Sequence, residues 1–184
     1  MAHDWEAHGL EGLEEWVADA RARDAAASRL RQRWLARQAE ESGRMVGVLG
    51  DLSERRSRVS LVTVSGRTWH GRLDLVGQDF VAIDADNRWR VLVVLKAVFA
   101  VRATGRPAAG DRDDHADSWL VEELVRLVPD CPRVQLLTGG GAAVVGQLRS
   151  VGSDMAVVTP DAGPTGCSYV ALSSLSEAVV TTSG

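Results

Sequence analysis

An internal duplication limits what this chain can fold into more than any other feature of its sequence. Displaced against itself by 75 residues, the chain aligns without a gap over residues 59–83. Val59 falls on Val134, Leu61 on Leu136, Thr63 on Thr138, Gly66 on Gly141 and Gly71 on Gly146. Leu73 falls on Leu148, Val76 on Val151, Gly77 on Gly152 and Asp79 on Asp154, which makes nine identities in 25 positions. Phe80 over Met155 and Ile83 over Val158 keep the apolar pattern. Upstream, Leu49 and Leu52 fall on Leu124 and Leu127, and Arg58 on Arg133; with two more residues of shift, Val93, Leu95 and Val98 fall on Val170, Leu172 and Leu175.

Each copy reads as a short helix, a strand, a turn, a long bent strand, a turn and two more strands. Ser65-Gly66 and Ala85-Asp86-Asn87 are turn signals, and Gly71 and Gly77 mark bends or bulges in the long strand between Thr68 and Ile83. Five short bent strands with one apolar face must curl into a small barrel or pack on a partner. Residues 104–117 have the Gly, Pro and Asp content of a solvated linker.

Ahead of the repeat, residues 1–43 contain no Pro. Leu13, Trp16, Val17, Ala20, Ala27, Leu30, Trp34 and Leu35 recur at spacings of three, four and seven, which predicts one long amphipathic helix. Acidic residues lead it and Arg21, Arg23, Arg29, Arg31, Arg33 and Arg37 follow, in the sense that suits a helix dipole. The expected architecture is therefore α+β: a long N-terminal helix (1–43), a first helix-plus-barrel unit (44–103), a linker (104–117) and a second helix-plus-barrel unit (118–182).

Composition narrows function mainly by exclusion. The formal charge of −4 does not point to a nucleic-acid binder. Of the 21 basic residues only Lys96 is Lys, a skew that reads as codon bias, so abundant Arg says little about phosphate. Cys131 and Cys167 lack the spacing of a zinc site, and with no signal-peptide pattern the expectation is a cytoplasmic protein with reduced thiols. No apolar run approaches the roughly 18 residues that a membrane span needs.

The text VTVSGRTWHGRLDLVGQDFVAI, residues 62–83, and its echo LTGGGAAVVGQLRSVGSDMAVV, residues 137–158, resemble the first motif of the Sm/LSm group and, more broadly, SH3-like barrels. That resemblance implies an N-terminal helix before a five-stranded bent barrel. The Asn that commonly contacts RNA in the group is replaced here by Val81 and Ala156, and the later Arg-Gly or Lys-His signature is missing from Val94 to Val101, so RNA contact is carried over to no residue. The layout also resembles actinobacterial proteins sometimes named Fis-family transcriptional regulators, although no helix-turn-helix is legible.

Several groups have a chemical and a structural reading. His70 is a base or stacking partner, or an exposed strand residue. Asp79 and Asp154 are an acid–base pair, or turn caps duplicated with the turn. Asp111, Asp113, Asp114, His115 and Asp117 form a cation site or solvated linker charge. Gly139-Gly140-Gly141 has no following Lys-Ser/Thr and reads as a hairpin turn. No catalytic, cofactor or metal site is expected, and no small-molecule substrate. The expected function is a non-enzymatic binding or scaffold protein, acting on a protein partner or on itself through the long helix and the barrels. The alternative is a nucleic-acid-binding regulator using the Arg-rich helix and barrel rims, with Arg29, Arg31, Arg33, Trp34 and Arg37 as contacts.

Overall fold

The structure is a computed structural model and describes residues 21, 24–25, 28–35, 44–85, 89–105, 110, 115–161 and 166–181. Residues 43–184 form one compact unit, and residues 1–42 cluster separately. Helix α1 (Met45–Glu54) leads into β1 (Arg58–Thr63), β2 (Thr68–Val76), β3 (Phe80–Ala85), β4 (Trp89–Val94) and β5 (Val98–Ala103). Helix α2 (Leu120–Leu127) leads into β6 (Arg133–Thr138), β7 (Ala143–Val151), β8 (Met155–Pro160), β9 (Ser168–Ala171) and β10 (Leu175–Thr181). Single 3-10 turns at Leu95–Ala97 and Leu172–Ser174 carry the chain from β4 to β5 and from β9 to β10.

The ten strands make one antiparallel sheet in the order β5-β1-β2-β3-β4-β10-β6-β7-β8-β9. This corrects the expected α+β layout of a long helix and two tandem barrels: the described fold is mostly β, and its two halves share a single sheet. The reason lies in β4 and β10, which are buried over Val91–Val94 and Leu175–Val180 and apolar there except at Ser176 and Glu177. Strands of that composition cannot stay as open edges, and they pair with each other. Nor is a long N-terminal helix evident among the described residues. In that segment the described residues Arg21, Asp24, Ala25 and 28–35 are helical, and the rest of the expected span lies outside the described residues.

Within each half the duplication survives as geometry. A bulge falls between Leu73 and Leu75 in one copy and between Leu148 and Ser150 in the other. Gly66 and Gly141 take the left-handed conformation (φ +82° and +86°) at the two matched hairpin turns. Leu95 N–H donates to Asp79 O, and Leu172 N–H to Asp154 O, each at 2.8 Å. β1 alternates inward Val59, Leu61 and Thr63 with outward neighbours, whereas β3 buries Phe80 to Ile83 on both faces. Helix α1 turns Leu49 and Leu52 inward and packs on β2; α2 does the same with Leu120 and Leu124 against β7. One continuous apolar cluster runs through both halves.

The halves differ at the turn before β3. In the first, the turn receives the segment leading into α2: Gln78 N–H donates to Ser118 O, and Asp79 Oδ1 accepts the Leu120 N–H at 2.8 Å. Glu122 completes the helix start by accepting the Trp119 N–H at 3.0 Å. Asp79 thus caps α2 with its side chain, while its backbone carbonyl accepts from Leu95. A Cβ on Gly77 would overlap the Phe80 ring and Ser118 O, whereas one on Gly152 would meet nothing closer than 3.7 Å. Gly77→Ala is therefore expected to lower stability by about 1–3 kcal/mol through overpacking, and Gly152→Ala to stay within about 0.5 kcal/mol of wild type. Urea denaturation of the two variants side by side checks this; equal losses would contradict it.

Candidate functional site

Two strands that belong to different copies of the repeat meet at the centre of the sheet. β4 is the outer strand of the first half, and β10 stands in the second half where β5 stands in the first. Their seam pairs Trp89 with Thr181, Arg90 with Val180, Val91 with Val179, Leu92 with Ala178 and Val93 with Glu177. Glu177 is fully buried. Its carboxylate accepts hydrogen bonds from Thr63 Oγ1 at 2.8 Å and Ser65 Oγ at 2.9 Å on one oxygen. The other oxygen accepts the indole N–H of Trp69 at 3.0 Å. All three donors lie on or beside the β1–β2 hairpin of the first half, so an acid of the second half is held by the first. Neighbouring Ser176 donates to Leu137 O at 3.1 Å and keeps β10 tied to its own half.

Among the described residues the same construction leaves two edges open, β5 at one end of the sheet and β9 at the other. β5 matches β10 and β9 matches β4 at an offset of 77 residues, so the open edges are the counterparts of the seam strands. Leu92 is 1% exposed within the seam, and its counterpart Tyr169 on β9 is 71% exposed. Ser176 is 3% exposed, and its counterpart Phe99 on β5 is 71% exposed. Each open edge thus presents an aromatic ring where the seam hides its residue. The acid is not repeated: Glu177 corresponds to Ala100, and its partners Thr63, Ser65 and Trp69 correspond to Thr138, Gly140 and Val144.

The residues singled out from sequence fall elsewhere. Arg29, Arg31, Arg33 and Trp34 are exposed on the N-terminal helical segment, where Arg29 Nε donates to Ala25 O at 3.1 Å; Arg37 lies outside the described residues. His70 is exposed on β2 opposite Ser60. Asp79 and Asp154 sit one in each half at matched turns. Of the linker acids only Asp117, with His115, is described, and Gln78 Nε2 donates to it at 3.5 Å. Among the described residues no three His, Cys, Asp or Glu converge as a metal site would require. Sequence reading missed Glu177, Phe99 and Tyr169. The signal for all three was a mismatch of polarity or size at the 77-residue offset: Ala100 against Glu177, Phe99 against Ser176, Leu92 against Tyr169.

Compared with known proteins, the chain matches no family model and no curated protein. Among the described residues no helix is long and apolar enough to cross a membrane.

Removing the Glu177 carboxylate strands three donors at a buried site, which costs far more than losing one exposed pair. Glu177→Ala is expected to destabilise the fold by about 3 kcal/mol. Glu177→Gln is expected to cost less, because its carbonyl can accept from Trp69 while its amide donates to the two hydroxyls. Thermal unfolding of both variants tests the order; an alanine variant as stable as wild type would show that the seam does not depend on this acid.

Proposed function

We propose that this protein is a non-enzymatic scaffold that assembles with copies of itself by pairing β9 of one molecule with β5 of the next. One observation carries the reading: the two open edges are the counterparts of the two strands that already pair at the seam, and each exposes an aromatic residue where the seam buries Leu92 or Ser176. Repeating the seam between molecules gives a definite register. Val170 would face Ala100, Tyr169 would face Val101, Ser168 would face Arg102, and Cys167 would face Ala103. Such a contact is head-to-tail, so successive copies close a ring or continue as a filament according to the rotation at each joint.

The contact is weaker than the seam. β9 has four residues, shorter than β4, and no buried carboxylate crosses the new joint. Burying Tyr169 and Phe99 contributes about 1.5–3 kcal/mol each, before the cost of association. Reversible, concentration-dependent assembly follows. A cytoplasmic setting belongs to the same proposal, with Cys131 and Cys167 as exposed free thiols. The likeness of residues 62–83 to Sm/LSm text is compatible with a scaffold, and it supplies no RNA-contacting residue.

The register makes the test specific. Antiparallel partners lie about 4.5–5.5 Å apart at Cα, within disulfide reach. In a Cys131→Ser background, Ala103→Cys is expected to form intermolecular disulfides with native Cys167, seen as a ladder on a non-reducing gel. Ala100→Glu should suppress both the ladder and the concentration-dependent mass in light scattering, because it would bury an unpaired charge in the joint. A protein that remains monomeric at all concentrations and yields no cross-link would overturn the proposal.

A further inference from the structure

The turn before β3 and its counterpart before β8 differ in what covers them. In the first half the start of α2 is seated on the turn. Gln78 N–H donates to Ser118 O at 2.9 Å, Asp79 Oδ1 accepts the Leu120 N–H at 2.8 Å, and Phe80 and Leu120 are both buried. At the 75-residue offset Gln78, Asp79 and Phe80 become Ser153, Asp154 and Met155. Gly152, Ser153 and Asp154 are exposed, and Met155 is 40% exposed. Among the described residues, neither the Ser153 N–H nor the Asp154 carboxylate has a hydrogen-bond partner. A Cβ on Gly77 would lie 2.6 Å from Ser118 O, whereas one on Gly152 would meet only Met155 among the described residues, at 3.7 Å. The second turn thus repeats the cradle of the first and opens it to solvent.

The segment that fills the first cradle has a counterpart of its own. α1 matches α2 at the same offset, so Met45 corresponds to Leu120 and Arg44 to Trp119. The two helix starts share one backbone shape, with φ −109° and ψ 149° at Arg44 against φ −105° and ψ 153° at Trp119. Both hold the N–H of that residue at 3.0 Å. Glu122 accepts it in α2, and Gly110 O accepts it in α1, where Gly47 stands in place of the Glu. The difference lies in burial, because Met45 is 44% exposed where Leu120 is covered. Among the described residues α1 also begins without a capping side chain. A carboxylate brought to it would satisfy a helix N–H and meet the positive end of the helix. One molecule therefore carries both partners of a contact it makes only once: a receiving turn in its second half and a matching helix start in its first.

We propose that the turn from Gly152 to Met155 of one copy receives the start of α1 of the next copy. Asp154 accepts the Met45 N–H there, and the Met45 and Met155 side chains leave water together. The contact rests on the head-to-tail self-assembly proposed above and adds a second surface to it. Inside the chain, the β4–β10 seam and the seat of α2 on the first turn both join the first half to the second. Between copies, the pairing of β9 with β5 and the seat of α1 on the second turn both join the second half of one molecule to the first half of the next. The polarity agrees, and the added contact supplements an edge strand of only four residues. A second copy also fits better than a foreign segment, which could fill the turn but would leave Met45 uncovered.

Sedimentation velocity of the full chain over a range of concentrations tests the contact with two variants that the isolated fold tolerates. Gly152→Ala adds a methyl group where the open turn has room and a seated helix start would be overlapped. Met45→Asp places an acid at a helix N-terminus, where it is favourable, and brings it against Asp154 in the joint. Each is expected to weaken association about tenfold or more while leaving thermal unfolding of the dilute protein unchanged. The disulfide ladder of Ala103→Cys with Cys167, run in parallel, reports the β edges separately. Association that neither variant weakens, with the ladder still formed, would overturn the seating of α1 and leave the edge pairing in place. Association that both variants weaken, with no ladder, would support the seating of α1 and overturn the edge pairing. A chain that stays monomeric at all concentrations would overturn both.

Discussion

A strand edge carries a row of amide and carbonyl groups that must find partners, and an apolar edge adds a patch that must leave water. β4 and β10 face both demands at once, and their pairing answers both. Everything else about the molecule depends on that seam. It converts two five-stranded copies into one sheet, joins their apolar residues into one cluster, and determines which two strands are left at the ends. Glu177 fixes the seam more sharply than hydrophobicity alone can. An apolar strand can slide by two residues and still bury the same kind of side chain, but a buried carboxylate with three donors is satisfied in one position.

The two joints, one inside the chain and one proposed between chains, illustrate how duplication can divide labour. The inner joint carries an acid with Trp and Ser partners that the other copy lacks, beside a Thr that both copies share. The outer edges kept the geometry and carry exposed aromatics in place of the polar lock. A short β9 and the Arg102 charge on β5 keep those edges from indiscriminate pairing, as edge strands commonly require.

Much of the fold within each half was legible in the sequence. Turn glycines, alternating apolar residues and the 75-residue register are local signals, because a hairpin is set by its turn and by the faces of its two strands. The joining of the halves was not legible. Backbone pairing between distant strands leaves no pattern of its own, and the text LSEAVVT reads as a strand whether or not a second strand lies beside it. Glu177 in that text looks like an outward-facing acid until Trp69 and the two hydroxyls are known to converge on it. Asp79 was legible as a turn residue, but its bond to the start of α2 was not, since 41 positions separate the partners. The acids of residues 111–114 and Arg37 lie outside the described residues, so their sequence readings stand as expectations.

Amide hydrogen exchange followed at two protein concentrations tests the seam and its proposed repetition most directly. β4 and β10 are expected to be strongly protected at both concentrations, because their pairing is within the chain. The outward-facing amides of β5 and β9 are expected to exchange fast when dilute and to become protected as concentration rises. Fast exchange along β4 and β10, or edge amides indifferent to concentration, would contradict these expectations.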